Sequence, residues 1–187
     1  MLIHEMTKEE CLEVLTHADF GRLACARDDQ PYVVPVYFAN DAQHNCVYKR
    51  HHLYLFSPLG QKIEWMRINP LVCVEIDDVR SYNEWLSVVV LGRYEELPDT
   101  LEYEWARAYA LDLLQRRAMW WQPGSVSVLH RGESQAFTPV FYRIRIDHMT
   151  GHRATPEQAT QVVENTTRLT KKYHWLHSLL HHAGSKN

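Results

Sequence analysis

The run Trp85-Leu86-Ser87-Val88-Val89-Val90-Leu91-Gly92-Arg93-Tyr94-Glu95-Glu96 constrains the fold more than any other segment. It is extended and rich in β-branched residues, and its first half reads as a strand covered on both faces, so it predicts a central strand with a sheet around it. Further extended runs cover Gly21 to Arg27 and Tyr32 to Ala39, and the turn residues Asp28-Asp29-Gln30-Pro31 join them as a hairpin. Cys46 to Tyr48 and Leu53 to Phe56 follow, with a bulge or excursion expected at Lys49-Arg50-His51-His52; Leu71 to Asp77 and Val140 to Asp147 complete the set. In the last of these Val140, Tyr142, Ile144 and Ile146 alternate with Phe141, Arg143, Arg145 and Asp147.

Helices are predicted around this sheet. Thr7 and Glu10 make a capping box for a helix over residues 8 to 17. Ser57-Pro58 has the chemistry of a helix start, a capping serine before a proline, for a helix reaching about Ile68 and stopped by Asn69-Pro70. Asp99 is expected to cap a helix ending near Trp120-Trp121-Gln122-Pro123-Gly124, and Thr155-Pro156-Glu157-Gln158 to open a C-terminal one. The expectation is a mainly β fold with α additions, a six-stranded closed or partly closed barrel with peripheral helices, not a doubly wound sheet. Residues 1–150 are expected to form its domain and 151–187 a helical extension packed on it.

Composition narrows the partners. With 187 residues, 45% of them hydrophobic, the chain suits one core. Twenty basic against 23 acidic residues, a net charge of −3, give little support to a nucleic-acid partner held by phosphate neutralisation. No uncharged apolar run is long enough to cross a membrane and Met1-Leu2-Ile3-His4-Glu5 lacks a targeting pattern, so a soluble cytoplasmic protein is expected. Cys11, Cys25, Cys46 and Cys73 form no C-x-x-C pair and read as buried thiols. The glycines at 21, 60, 92, 124, 132, 151 and 184 leave no G-x-G-x-x-G loop, and none precedes a lysine, which removes the phosphate loop of nucleoside-triphosphate enzymes.

Another device could hold an anion. Leu55-Phe56-Ser57-Pro58-Leu59-Gly60-Gln61-Lys62 places a serine, a glycine and a lysine around a helix start directly after a strand. Unpaired N–H groups, the helix dipole and the lysine charge suit a phosphate, and the same residues also make an ordinary capped helix with a solvated lysine. Pro35, inside Tyr32-Val33-Val34-Pro35-Val36-Tyr37, belongs on an edge strand or beside a flat polar ligand. Ser87 could contact a ligand or water. Trp120 and Trp121 could cover an aromatic ligand or bury area at a core or subunit contact. His174, His177 and His181 share a helical face but supply two metal ligands without a third, and no G-x-S-x-G elbow supports a nucleophilic serine.

In order and spacing, Phe20-Gly21-Arg22-Leu23-Ala24, Pro31 to Val36, Leu53 to Lys62, Asn69-Pro70-Leu71-Val72, Trp85 to Arg93 and Phe141 to Asp147 with Thr150-Gly151 resemble the pyridoxamine 5'-phosphate oxidase-like split barrels. The resemblance is in particular to their flavin-nucleotide-binding, nitroimidazole-reductase-like branch, over about residues 5 to 150. The resemblance implies a six-stranded split β-barrel that forms a homodimer with FMN in grooves between subunits. By similarity Val34, Pro35 and Val36 would lie along the isoalloxazine edge, Ser57, Gly60 and Lys62 would hold the phosphate, and Ser87 and Val88 would complete the pocket. Trp121 is a candidate cover for the ring. Phe56 stands where that branch commonly has a histidine, and no counterpart of the substrate-binding arginine and histidine of true pyridoxamine-phosphate oxidases is found, which disfavours vitamin B6 oxidation. The expected function is an FMN-dependent oxidoreductase passing electrons from a reduced nicotinamide to a small flat acceptor. The alternatives are a flavin carrier or sensor without turnover, a haem-binding split barrel, and use of a deazaflavin.

Overall fold

The computed structural model describes residues 1–41, 51–116, 128–130, 133–135 and 139–157. One antiparallel sheet contains β1 (Leu2–Glu5), β2 (Phe20–Arg27), β3 (Gln30–Tyr37), β4 (Ala39–Asn40), β5 (His52–Pro58), β6 (Leu71–Ser81), β7 (Glu84–Glu96) and β10 (Pro139–Thr155). Between the last two, β8 (Val128–His130) pairs with β9 (Glu133–Gln135). The main path runs β3-β2-β6-β7-β10-β5-β4, with β1 added to β10. Helices α1 (Lys8–His17), α2 (Gln61–Ile68) and α3 (Glu104–Gln115) lie outside it. The mainly β architecture expected from the sequence is therefore present, its six long strands supplemented by the short β1 and β4.

The sheet is rolled. β3 and β5 stand near opposite ends of the path, yet Val36 of β3 and Leu53 and Leu55 of β5 belong to one apolar cluster with Leu23, Val74, Val88 and Ile144. Ile63 and Met66 of α2, both 0% exposed, fill the same interior. Each such side chain contributes on the order of 1.5–3 kcal/mol by leaving water, so α2 is a plug held by burial.

A second, smaller cluster forms where Ala110, Leu113 and Leu114 of α3 pack against Tyr54 and Phe141. Strand β5 is thus covered on both sides, by the barrel interior at Leu53 and Leu55 and by α3 at Tyr54. The sequence assigned double coverage to the Trp85 run instead. That run is central, since β7 pairs with both β6 and β10, but Leu91 is 47% exposed and Ser87 and Val89 are half-buried. A long β-branched run gives strand preference without specifying a second layer.

Local chemistry sets several boundaries. Glu10 N–H donates to Thr7 Oγ1 at 3.2 Å and Thr7 N–H to Glu10 Oε2 at 2.8 Å, which closes the capping box of α1. Asp28 and Asp29, at φ 50° and 61°, form a two-residue turn with Arg27 opposite Gln30. Both central residues at positive φ match the twist of the flanking strands, so β3 begins at Gln30 rather than Tyr32. Asp99 does not cap α3: a short 3₁₀ turn, Leu101–Tyr103, intervenes, and Asp99 instead pairs with Arg107 at 3.5 Å.

Strand β10 continues past Asp147, where the sequence predicts its end, to Thr155. A bulge between Ile146 and His148 reverses the alternation, so Met149 packs on the core and Gly151 is buried against α1. A Cβ at Gly151 would sit 2.7 Å from Cys11 Sγ, so glycine is what lets α1 approach. The expected strand at 46–48, the end of the helix near Trp120 and the C-terminal helix with His174, His177 and His181 lie outside the described residues. Among the described residues no helix is long and apolar enough to cross a membrane, and Cys11 and Cys25 are buried free thiols while Cys73 is half-buried.

Candidate functional site

The segment from Ser57 to Lys62 leaves β5 and enters α2, but not as its local chemistry suggests. Ser57 and Pro58 remain in β5, opposite Val140 and Pro139 of β10, and the helix starts three residues later at Gln61. Ser57 does not cap it; its hydroxyl donates to Pro58 O at 3.0 Å. Strand pairing with β10 outweighs the Ser-Pro helix-start signal.

The helix cap is Gly60, which has no side chain to cap with. Its carbonyl accepts from Ile63 N–H at 2.9 Å and Glu64 N–H at 3.1 Å, while the first-turn N–H groups of Gln61 and Lys62 have no intrahelical acceptor. A side chain at Gly60 would meet no protein atom within 4 Å. Its φ of 175° is ordinary extended backbone, so neither strain nor protein packing demands a glycine there.

Lys62 is half-buried, and no carboxylate among the described residues pairs with it. Burial lowers its pKa below the usual lysine range, opposed by the neighbouring Cys25, whose thiol burial in turn pushes up. Tyr142 enters the same neighbourhood from β10. It is 0% exposed, its ring stacks at a tilt on Tyr94 with centroids 5.3 Å apart, and its hydroxyl faces Ser57 without a hydrogen bond of ordinary geometry. Burial raises its pKa, so the hydroxyl holds its proton.

These observations test the expected group. A half-buried cation without an anion, two free helix N–H groups and an open glycine are complementary to a phosphate monoester. Gly60 and Lys62 therefore fit the anionic end of a nucleotide, and Ser57 would join them once its hydroxyl leaves Pro58 O; Cys25 lies beside Lys62 and Tyr142 beside Ser57. Tyr142 read as one more inner position of an alternating strand; its polar tip was the only signal of anything else.

Of the remaining candidates, Ser87 stands apart from this point within one chain. Val36 is buried in the core, Val34 packs on it, and Pro35 points out from β3, an edge strand paired only with β2. With Arg27 and Gln30 closing the turn, residues 30, 32, 34 and 36 direct their backbone groups to β2, while 31, 33 and 35 direct theirs to the free edge. Both prolines of β3, Pro31 and Pro35, thus occupy positions where a missing N–H costs no ladder bond. Val88 is 0% exposed inside the barrel. Ser87 lies on the outer face and donates to Glu75 Oε1 at 3.1 Å, within a cluster where Arg22 also binds Glu75 at 3.0 Å and contacts Asp77. Ser57 pairs at position 140 of β10 and Ser87 at 152, roughly 35–40 Å apart along the strand. Trp121 lies outside the described residues.

Two cavities occur elsewhere. One of about 460 Å³ adjoins the β10 bulge beside His51, Arg145 and His148. The other, about 630 Å³, lies between α1 and the sheet, lined by Asp19, Asp78, Leu86 and Arg153 among others. Among the described residues no group of three or more metal-ligating side chains is found.

Comparison with known proteins agrees with this architecture. Residues 7–153 match the family described as pyridoxamine 5'-phosphate oxidase. An uncharacterized protein of Rhizobium meliloti (strain 1021) is 42% identical over 154 residues, 82% of this chain and 97% of that protein. The crystal structure of a FAD-binding protein from Mesorhizobium loti is 44% identical, covers 83% of this chain and 100% of its own, and superimposes with a TM-score of 0.64. A protein of Bacteroides thetaiotaomicron described as a putative 5-nitroimidazole antibiotic resistance protein shares the fold at 21% identity, with 82% of this chain and 89% of that chain covered and a TM-score of 0.54. With its rolled sheet, its α2 plug and a family match extending from α1 into the last strand, the chain belongs to the pyridoxamine 5'-phosphate oxidase family.

Proposed function

We propose that the chain binds a flavin nucleotide, with the phosphate next to the ribityl chain docked on Lys62 and the start of α2, and that it works as an oxidoreductase. The observation that carries this reading is Lys62, a half-buried ammonium without a carboxylate partner among the described residues, placed beside an uncapped helix N-terminus. Burying a cation is costly unless something anionic meets it. FMN and FAD share that phosphate. FMN is the expectation from the resemblance, and the FAD-binding Mesorhizobium loti relative supports FAD as the second reading.

The bound group would supply two-electron chemistry, taking hydride from a reduced nicotinamide and passing electrons to a small flat acceptor. The chain's part is to anchor and orient. Lys62 and the N–H groups of Gln61 and Lys62 neutralise the phosphate; Ser57 offers a hydroxyl once it leaves Pro58 O; the free edge of β3 near Pro35 offers backbone acceptors to a flat polar rim. Ser87 is too far along the strands from Ser57 to join it in one chain, which supports a homodimer whose second copy completes each site.

The purified protein is expected to be yellow, with flavin absorption bands and an extracted ligand of FMN or FAD mass. A colourless protein that takes up neither FMN nor FAD on titration defeats the proposal, and a Soret band would put haem in its place. Oxidation of NADH or NADPH with quinone or nitroaromatic acceptors separates an enzyme from a flavin carrier or sensor.

A further inference from the structure

Two buried side-chain polar atoms among the described residues have no hydrogen-bond partner, Arg153 Nε and Tyr142 Oη. Arg153 lines the cavity beside α1 with Glu13, Asp19, Asp77 and Asp78, of which Asp77 already pairs with Arg22 and Asp78 with Arg80, so no single partner is marked out for it. Tyr142 is different, because its surroundings have one direction. Its hydroxyl is wholly enclosed, and the register of β5 against β10 makes Tyr142 the diagonal same-face neighbour of Ser57, which is itself 6% exposed and spends its proton on Pro58 O.

Leaving a buried hydroxyl unpaired costs on the order of 1–3 kcal/mol, and phenylalanine would fill the same space without that cost. The hydroxyl therefore has a use outside the ligand-free chain. It cannot touch a ligand itself, since nothing reaches a side chain that is 0% exposed. It can act through Ser57. A serine hydroxyl has one proton to give and two lone pairs to receive with. While that proton goes to Pro58 O, the Ser57 oxygen is held by a contact in its own strand. Turned toward a phosphate oxygen, the serine presents a lone pair inward.

Resting on the flavin-phosphate reading above, we propose that Tyr142 is a positioning residue of the phosphate site: its hydroxyl donates to Ser57 Oγ when Ser57 swings from the Pro58 carbonyl to donate to a bound phosphate. The relay runs Tyr142 Oη–H to Ser57 Oγ–H to phosphate oxygen, with no proton changing owner. It gives the chain a buried donor that is satisfied only in the complex.

The test uses full-length protein stripped of ligand, titrated with FMN and with FAD by fluorescence quenching, alongside thermal unfolding. Tyr142→Phe is expected to weaken flavin binding about fivefold, the worth of one hydrogen bond, while the ligand-free protein melts about 3 °C higher. Ser57→Ala is expected to weaken binding by a similar factor, and the double variant by no more than Ser57→Ala alone. Tyr142→Phe with unchanged affinity, or with a lower melting temperature in the ligand-free form, overturns the positioning role while leaving the flavin reading intact. A wild-type protein that binds neither FMN nor FAD overturns both.

Discussion

Helices α1 and α2 are short, both bury two side chains in or beside the same interior, and they begin in opposite ways. The first is sealed by Thr7 and Glu10, whose side chains and backbones satisfy one another. The second starts at Gly60 with no side-chain cap, an open surround and a half-buried lysine two residues on. A sealed start has finished its chemistry within the chain. An open start beside a cation with no carboxylate partner among the described residues has chemistry left for something else, and the proposed function rests on that contrast.

Exchanging the two kinds of start should produce the largest effect. Gly60→Asp installs a cap and a negative charge where space allows, and flavin affinity is expected to fall by about 3 kcal/mol or more while the ligand-free chain gains about 0.5–1 kcal/mol in urea unfolding. If affinity survives this change, α2 is no more a binding helix than α1. Lys62→Ala should follow, with a loss of about 1.5–3 kcal/mol in flavin titrations, the scale of a charge-assisted hydrogen bond. Thr7→Ala is the reciprocal control: it is expected to cost about 1 kcal/mol of stability and leave flavin affinity unchanged.

The smallest expected effect is a pH dependence. Burial lowers the Lys62 pKa in the ligand-free chain, and a bound phosphate would raise it by favouring the charged form. Affinity is then full below the ligand-free value and declines as pH rises through it toward the bound value, so binding should weaken a few-fold on the alkaline side before the ordinary lysine range is reached. Lys62→Arg, charged throughout, should flatten that decline in the same titration.

What was legible in the sequence was what short segments settle among themselves. The Thr7–Glu10 box needs only its own turn. The Asp28-Asp29 turn and the prolines at 31 and 35 together mark a hairpin with a free edge, and the free edge is where β3 lies. Ser57-Pro58 misled because the competing partner, Val140 and Pro139, sits far along the chain. The end of β10 was lost for a related reason, since the bulge after Ile146 reverses the alternation and makes a continuous strand look finished. For the proposed site, the residue types at 57, 60 and 62 suggest anion chemistry, whereas Tyr142 comes beside Ser57 only through the long-range pairing of β10 with β5, and the thiol of Cys25 comes beside Lys62 only as α2 folds onto the sheet. No local pattern encodes that.

The position of β10 between β7 and β5 also bears on how the chain is made. Both neighbours are synthesised earlier, and each keeps a bare edge until residues 139–155 arrive, so a ribosome-bound nascent chain holds two unjoined half-sheets from the completion of β7 until β10 emerges. Vectorial folding should therefore stall late and finish in one closing step. Until then, the exposed flanks of β5 and β7 are where chaperones, or a second nascent copy, would find their grip.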